Sequence, residues 1–195
     1  MRTLNQLFDN YTTAKSVVIQ LEAAGIPYKD ISIVSHRSEN QTEAGEGAGI
    51  GAGLGAALGA GGGLLAGLGM IAIPGIGPVV AAGWLSATLA GAVGGAVAGG
   101  AAGGLIGALI DSGVPDEEAH VYAEGVRRGG TLVSVKVSPE QEPIAQRILA
   151  DAGGVDVNKR RQYYKEQGWE RFDHTSPPYS PEDVELERQK ILNQR

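Results

Sequence analysis

Cysteine is absent from all 195 residues, which excludes disulfide frameworks, thiolate metal sites and cysteine nucleophiles and leaves the compartment open. Aromatic residues make up only 5% of the chain. Charge is missing from its middle, where residues 47–110, 64 in succession, hold no Asp, Glu, Lys, Arg or His. Nor is there a positive excess: the net charge of −6 divides into −2 over residues 1–46 and −4 over residues 111–195. Neither flank is a basic arm, which argues against nucleic acid as a partner. The opening MRTLNQLFDNYTTAK lacks the apolar run of a secretory signal, so the expectation is that this part stays in the cytoplasm.

What the chain has in excess is glycine, with 22 of its 31 glycines inside residues 47–110. The flanks read differently. Residues 3–8 suggest a short strand. Ala14, Val17, Val18 and Leu21 then mark one face of a helix, capped by Asn10 or Thr12 and stopped by Gly25 and Pro27. DISIVS follows as a strand. Beyond the block, PDEEAHVYAEGVRRGG places Ala119, Tyr122, Ala123 and Val126 on one helical face, with acids in the first turn and arginines in the last. TLVSVKV alternates as a strand. SPEQEPIAQRILADAGG offers Ser138 as N-cap with Gln141 completing a capping box, and a buried face of Ile144, Ile148, Leu149 and Ala152. VDVN reads as a fourth strand.

The expected fold is therefore α+β: a ferredoxin-like, four-stranded antiparallel sheet with the glycine block inserted after its second strand. Residues 1–46 supply the first half and residues 111–158 the second. Residues 159–195 form a basic-aromatic segment and an arm, with Ser180 and Pro181 opening a last polar helix, expected to dock on a neighbour or stay mobile.

Inside the block the spacing is regular. Gly47, Gly51, Gly55, Gly59, Gly63 and Gly67 recur every four residues, and Gly83, Ala87, Gly91, Gly95, Gly99, Gly103 and Gly107 repeat the rule. Positions four apart form one ridge of a helix, a groove where a second backbone approaches closely. Eleven glycines in residues 47–69 would disfavour an aqueous helix by roughly 1 kcal/mol each, so burial in lipid or protein is required. IPGIGP, with Pro74, Gly75, Gly77 and Pro78, is a turn. The spacing thus predicts a glycine-zipper hairpin of two helices with its turn at 73–78. Each is long enough to cross a bilayer, so the hairpin is expected in a membrane with the sheet domain in the cytoplasm. A cytoplasmic assembly with lipid-free hairpins is the alternative.

Catalytic and cofactor patterns are not found. Gly51, Gly53 and Ala56 mimic a dinucleotide loop, but no strand precedes them and position 76 is isoleucine where an acid is needed. His36, His120 and His174 lack metal-ligand spacing, and the acids Asp116, Glu117 and Glu118 suit a helix start. No metal or cofactor is expected. NKRRQYYKEQGW interleaves Lys159, Arg160, Arg161 and Trp169 with tyrosines, a candidate for contact with lipid headgroups.

TLNQLFDNYTTAKSVVIQLEAAGIPYKDISIVS, the central IPGIGPVVAAG and GVPDEEAHVYAEGVRRGGTLVSV together resemble the bacterial general stress protein family of YflT-like, heat-induced domains, over residues 3–157. The resemblance implies a bacterial stress-response protein without a catalytic residue set, so that the expected membrane is the bacterial inner membrane. The expected function is non-enzymatic: self-association through the hairpin, with membrane lipid as partner. A lipid-free scaffold and a regulatory module for a small ligand are the alternatives.

Overall fold

The computed structural model describes residues 1–36, 69–94 and 104–193. Strand β1 (Arg2–Phe8) leads into α1 (Tyr11–Ala23), where the Asn10 side chain accepts from the Thr13 N–H at 2.7 Å, so the expected cap is in place. Strand β2 (Ile31–His36) follows. β1 and β2 lie parallel to each other, with β5 (Thr131–Val137) between them and antiparallel to both. Parallel strands need a long crossover, which α1 supplies.

The centre of the glycine block departs from the expected helical hairpin. Gly69–Ile73 is strand β3 and Gly77–Gly83 is strand β4, and together they form a β-hairpin. The turn itself is where the sequence put it. Ile73, Pro74, Gly75 and Ile76 make a type II turn, in which the Ile76 N–H donates to the Ile73 carbonyl at 3.1 Å and Gly75 takes φ +77°. The physical reason for strands is visible in the sequence. The four-residue period asks for small residues at positions 71 and 79, and these are Ile71 and Val79, part of a β-branched cluster that favours a sheet.

Gly83 is likewise not a helix-packing residue. Its φ is +83°, and a Cβ there would lie 1.9 Å from the Ile31 carbonyl oxygen. It lets β4 close against β2 before α2 (Trp84–Gly94) begins. α3 (Gly104–Asp111) follows. Among the described residues no helix is long and apolar enough to cross a membrane; at 1.5 Å per residue the 11-residue α2 reaches about 16 Å.

The sheet has five strands in the order β1-β5-β2-β4-β3, not four. The expected fourth strand at 155–158 is absent. The Val155 N–H donates to the Leu7 carbonyl at 2.8 Å, but the Asp156 carboxylate then accepts from the Asn158 and Lys159 N–H groups and starts α6 (Val157–Glu166). A capping side chain at that point diverts the backbone from the ladder into a helix.

α4 (Asp116–Arg127) and α5 (Glu142–Asp151) flank β5 in sequence. Ser138 and Gln141 exchange the expected capping-box bonds, at 3.2 and 3.4 Å, although α5 starts only at Glu142. Ala145 and Leu149 are buried and the expected Ile148 and Ala152 pack partly buried beside them, whereas Ile144 is exposed, contrary to expectation.

Helices cover both sides of the sheet. On one face, Ala14, Val17, Val18 and Leu21 of α1 and Leu149 of α5 meet Ile31, Ile33, Val133 and Val135. On the other, Leu85 and Leu89 of α2, Leu105 and Leu109 of α3, and Ala119, Ala123 and Val126 of α4 cover Val34, Val79, Ala81 and Leu132. Leu85, Leu89, Leu105 and Leu109 of the uncharged block are thus core of the sheet domain.

Candidate functional site

The first arginine-glycine run of the chain organises a clamp. α4 was expected to bury one face. Ala119, Tyr122, Ala123 and Val126 are buried, with Gly125 set against Leu7 of the sheet, but so are His120, Val121 and Glu124 on the opposite side. That side is covered by the C-terminal arm, which docks on its own domain. Tyr163 and Tyr164 of α6 pack on Val121, and Trp169 stands edge-on to Tyr164 with 5.7 Å between ring centroids. α7 (Pro181–Leu192) starts at Ser180 with a complete capping box to Asp183 and inserts Val184 and Glu187.

The buried polar centre of the clamp is Glu124–Arg128–Glu187. Arg128 Nε donates to Glu124 at 2.7 Å, while Nη1 donates to Glu187 at 2.8 Å and to Gln167 at 2.6 Å. Its guanidinium lies over the Tyr164 ring at 4.2 Å. Burial opposes the charge on Arg128, but the two carboxylates outweigh it and hold the guanidinium above its ordinary value. Burial pushes the Tyr164 hydroxyl up. Arg127 reaches Glu124 at 3.3 Å and the Pro177 carbonyl at 3.1 Å, and lies 5.0 Å from the centroid of Tyr179. Every charge taken from water here has a partner, as burial demands.

Between α6 and α7 the chain straps the β3–β4 turn. A Cβ on Gly75 would lie 2.7 Å from His174 Cα, and one on Gly77 would lie 2.9 Å from Pro178 Cβ. The bare backbone of the turn is therefore the seat for residues 173–178, and this explains both the turn glycines and the SPPYSP stretch. His36 is buried beside the turn; burial lowers its pKa, partly offset by a hydrogen bond with the Ile76 backbone. His120, buried in α4, is also lowered, by burial and by Arg171, with Asp116 opposing. Burial, with Glu118, pushes the Tyr122 hydroxyl up to about 12.

Of the residues singled out for helix packing, Gly47, Gly51, Gly55, Gly59, Gly63, Gly67, Gly95, Gly99 and Gly103 lie outside the described residues. Gly83 serves the sheet. Gly91 lies in α2, and Gly107 lies in α3, where among the described residues no atom comes within 4 Å of the place a Cβ would take. Of the expected turn residues, Pro74 and Gly75 lie in the turn, while Gly77 and Pro78 begin β4.

The candidate headgroup contacts are turned to other uses. Arg160 pairs with Asp9 at 2.6 Å, Arg161 pairs with Glu117 at 2.9 Å, and Trp169 packs in the clamp. Lys159 remains exposed on α6. It borders an open cleft of about 350 Å³ with Asp156, Arg160, Tyr163 and Ile191. Asp156 is engaged as a cap and Arg160 by Asp9, which leaves the cleft without a convergent set of reactive groups. Among the described residues no group of three or more His, Cys, Asp or Glu could hold a metal ion.

The Glu124–Arg128 half of the triad was readable as an (i, i+4) pair on α4. Glu187 was not, since nothing local to α7 distinguishes it from its exposed acidic neighbours. Comparison of the chain with protein-family models, with curated proteins and with solved structures finds no match.

Proposed function

We propose that the chain is a non-enzymatic stress-type protein whose sheet domain carries a glycine-rich segment, residues 47–67, as a self-association element packed against protein rather than lipid. The observation that carries this reading is the fate of the rest of the block. Leu85, Leu89, Leu105 and Leu109 are buried in the domain's own core. These leucines find their apolar surroundings in the domain itself, without a bilayer.

Connection lengths support the same conclusion. Residues 37–68 leave β2 and return to β3, strands of one sheet, so any membrane crossing must be made twice. Two helical spans ask for about 40 apolar residues, whereas the uncharged stretch before β3 runs from 47 to 68, 22 residues. Residues 95–103, between α2 and α3, are fewer still. What remains is a ridge of glycines at every fourth position, a pattern suited to close backbone approach. The β1–α1–β2 unit with β5 between its strands is the ferredoxin-like element of this domain, and the clamp fixes it from the outside. On this reading the assembly is cytoplasmic.

The test is the native mass of the full chain and of Gly55→Leu/Gly59→Leu. The wild type is expected to form an assembly larger than the variant. Equal masses would overturn the reading.

A further inference from the structure

One titratable group under the arm lacks the partners that its charged neighbours have. His120 lies on the arm side of α4 with its side chain only 10% exposed, and among the described residues neither ring nitrogen makes a hydrogen bond. Asp116, one turn earlier on the same helix, holds its Oδ1 3.8 Å from Nε2. That same oxygen accepts from Nη2 of Arg171 at 3.1 Å. Arg171 belongs to the stretch between α6 and α7 that runs on to strap the β3–β4 turn. A single carboxylate oxygen therefore ties the strap to the start of α4 and also faces the imidazole.

The other charges on the elements packed around His120 are engaged elsewhere or turned to water. On α4, Glu117 pairs with Arg161 of α6 at 2.9 Å, and Glu124 is held by Arg127 and Arg128. On α7, Glu187 belongs to Arg128. Lys159 and Lys165 of α6 are exposed, as are Glu170 and His174 of the strap, and the Asp173 carboxylate accepts from Thr175 and Ser176. α3 carries only Asp111, exposed at its end. A neutral imidazole can occupy such a place. An imidazolium needs an acceptor once it is taken from water, and the oxygen it faces already holds a cation. Burial and Arg171 both oppose the proton, while Asp116 favours it. The Asp116–Arg171 pair has both partners more than half exposed, so it is a weak tie that a neighbouring cation can break.

We propose that protonation of His120 opens the strap: imidazolium and guanidinium compete for Asp116 Oδ1, Arg171 is released, and residues 169–174 lift from α4 so that the imidazolium reaches water. α6 and α7 stay docked through Glu124–Arg128–Glu187, whose partners are unchanged. Acid thus bares the start of α4 and loosens the seat on the β3–β4 turn. The device is local and does not rest on the glycine-segment reading.

Trypsin reads the opening directly, because the Arg171–Phe172 bond lies in the strap. Cleavage of a transiently opened site follows the population of the open form when closing is fast. The open strap leaves His120 at its ordinary value and the closed strap holds it lower, so the open form gains as pH falls. Cutting of the full chain after Arg171, divided at each pH by cutting of a free peptide of residues 167–176, is expected to rise by up to about tenfold per pH unit below about pH 6.5. Cutting after Lys136, inside β5, should not rise with it. His120→Gln is expected to lose the rise, while His36→Gln and His174→Gln keep it. A normalised rate after Arg171 that ignores pH would overturn the proposal, and so would a rise that persists in His120→Gln. An equal rise after Lys136 would mean that the whole fold opens, which overturns it as well, and the wild type alone decides that point whether or not the variants fold.

Discussion

The two faces of the sheet are built on different principles. Under α1 and α5 the core is aliphatic and aromatic, from Phe8 and Val18 to Val135 and Leu149. Over the other face, α2 and α3 contribute small and aliphatic residues, while α4 is sandwiched between the sheet and the C-terminal arm and carries a second, charged interface. His36, His120, Tyr122 and the Glu124–Arg128–Glu187 triad all belong to this side or to the clamp upon it. One face is held by area alone, while the other also depends on every buried charge keeping its partner.

Substitutions can sharpen that contrast. The largest effect is expected at the seam between the two faces, where Gly83→Ala would drive a Cβ to 1.9 Å from the Ile31 carbonyl oxygen at φ +83°. Backbone cannot yield as a side-chain tip can, so the loss of stability should exceed about 4 kcal/mol in denaturant unfolding. Arg128→Met strands Glu124 and Glu187 in the clamp and should cost about 3–5 kcal/mol. Leu21→Ala, on the aliphatic face, should cost about 2–5 kcal/mol through lost transfer energy and a cavity, and its cost should not change with pH. If that cost did vary with pH, the division between the faces would fail.

pH acts on the clamped side. His36 and His120 have folded-state pKa values below the ordinary 6.5. Below 6.5 the unfolded chain therefore binds more protons than the folded one, and stability falls as pH decreases toward the folded values. Melting temperature should drop between about pH 7.5 and about pH 5.5. His36→Gln and His120→Gln should each flatten the slope. The smallest effect is expected at Arg2→Ala, which removes an ion pair whose arginine is 68% exposed. Its cost should be below about 1 kcal/mol and should shrink in high salt.

Much of the aliphatic face was legible in the sequence. Ala14, Val17, Val18 and Leu21 advertise their helix by spacing, and Asn10 and Gly25 mark its ends, because local periodicity and local caps decide that element. The alternation in Val133, Val135 and Val137 did the same for β5. The centre of the glycine block was misread because a ridge of small residues before and after it suggested one continuous pattern. Ile71 and Val79 break that pattern, and Pro74–Gly75 suits a β-turn as well as a helical one. Val155 to Asn158 alternates like a strand, yet one capping carboxylate at Asp156 turned it into a helix. The clamp was the least legible part. Glu187 meets Arg128 across 59 residues of chain, and the seat of the strap is bare glycine backbone, which leaves no side-chain pattern to read.

On the proposed function the uncharged block serves protein packing: self-association through residues 47–67, a β-hairpin over residues 69–83, and core at Leu85, Leu89, Leu105 and Leu109. Flotation of the full chain with native lipid on a density gradient, without detergent, followed by phosphate analysis of the recovered protein, tests it most directly. The account predicts protein that stays dense, free of lipid phosphate and larger than a 20.1 kDa monomer. Protein that floats and carries lipid would contradict it.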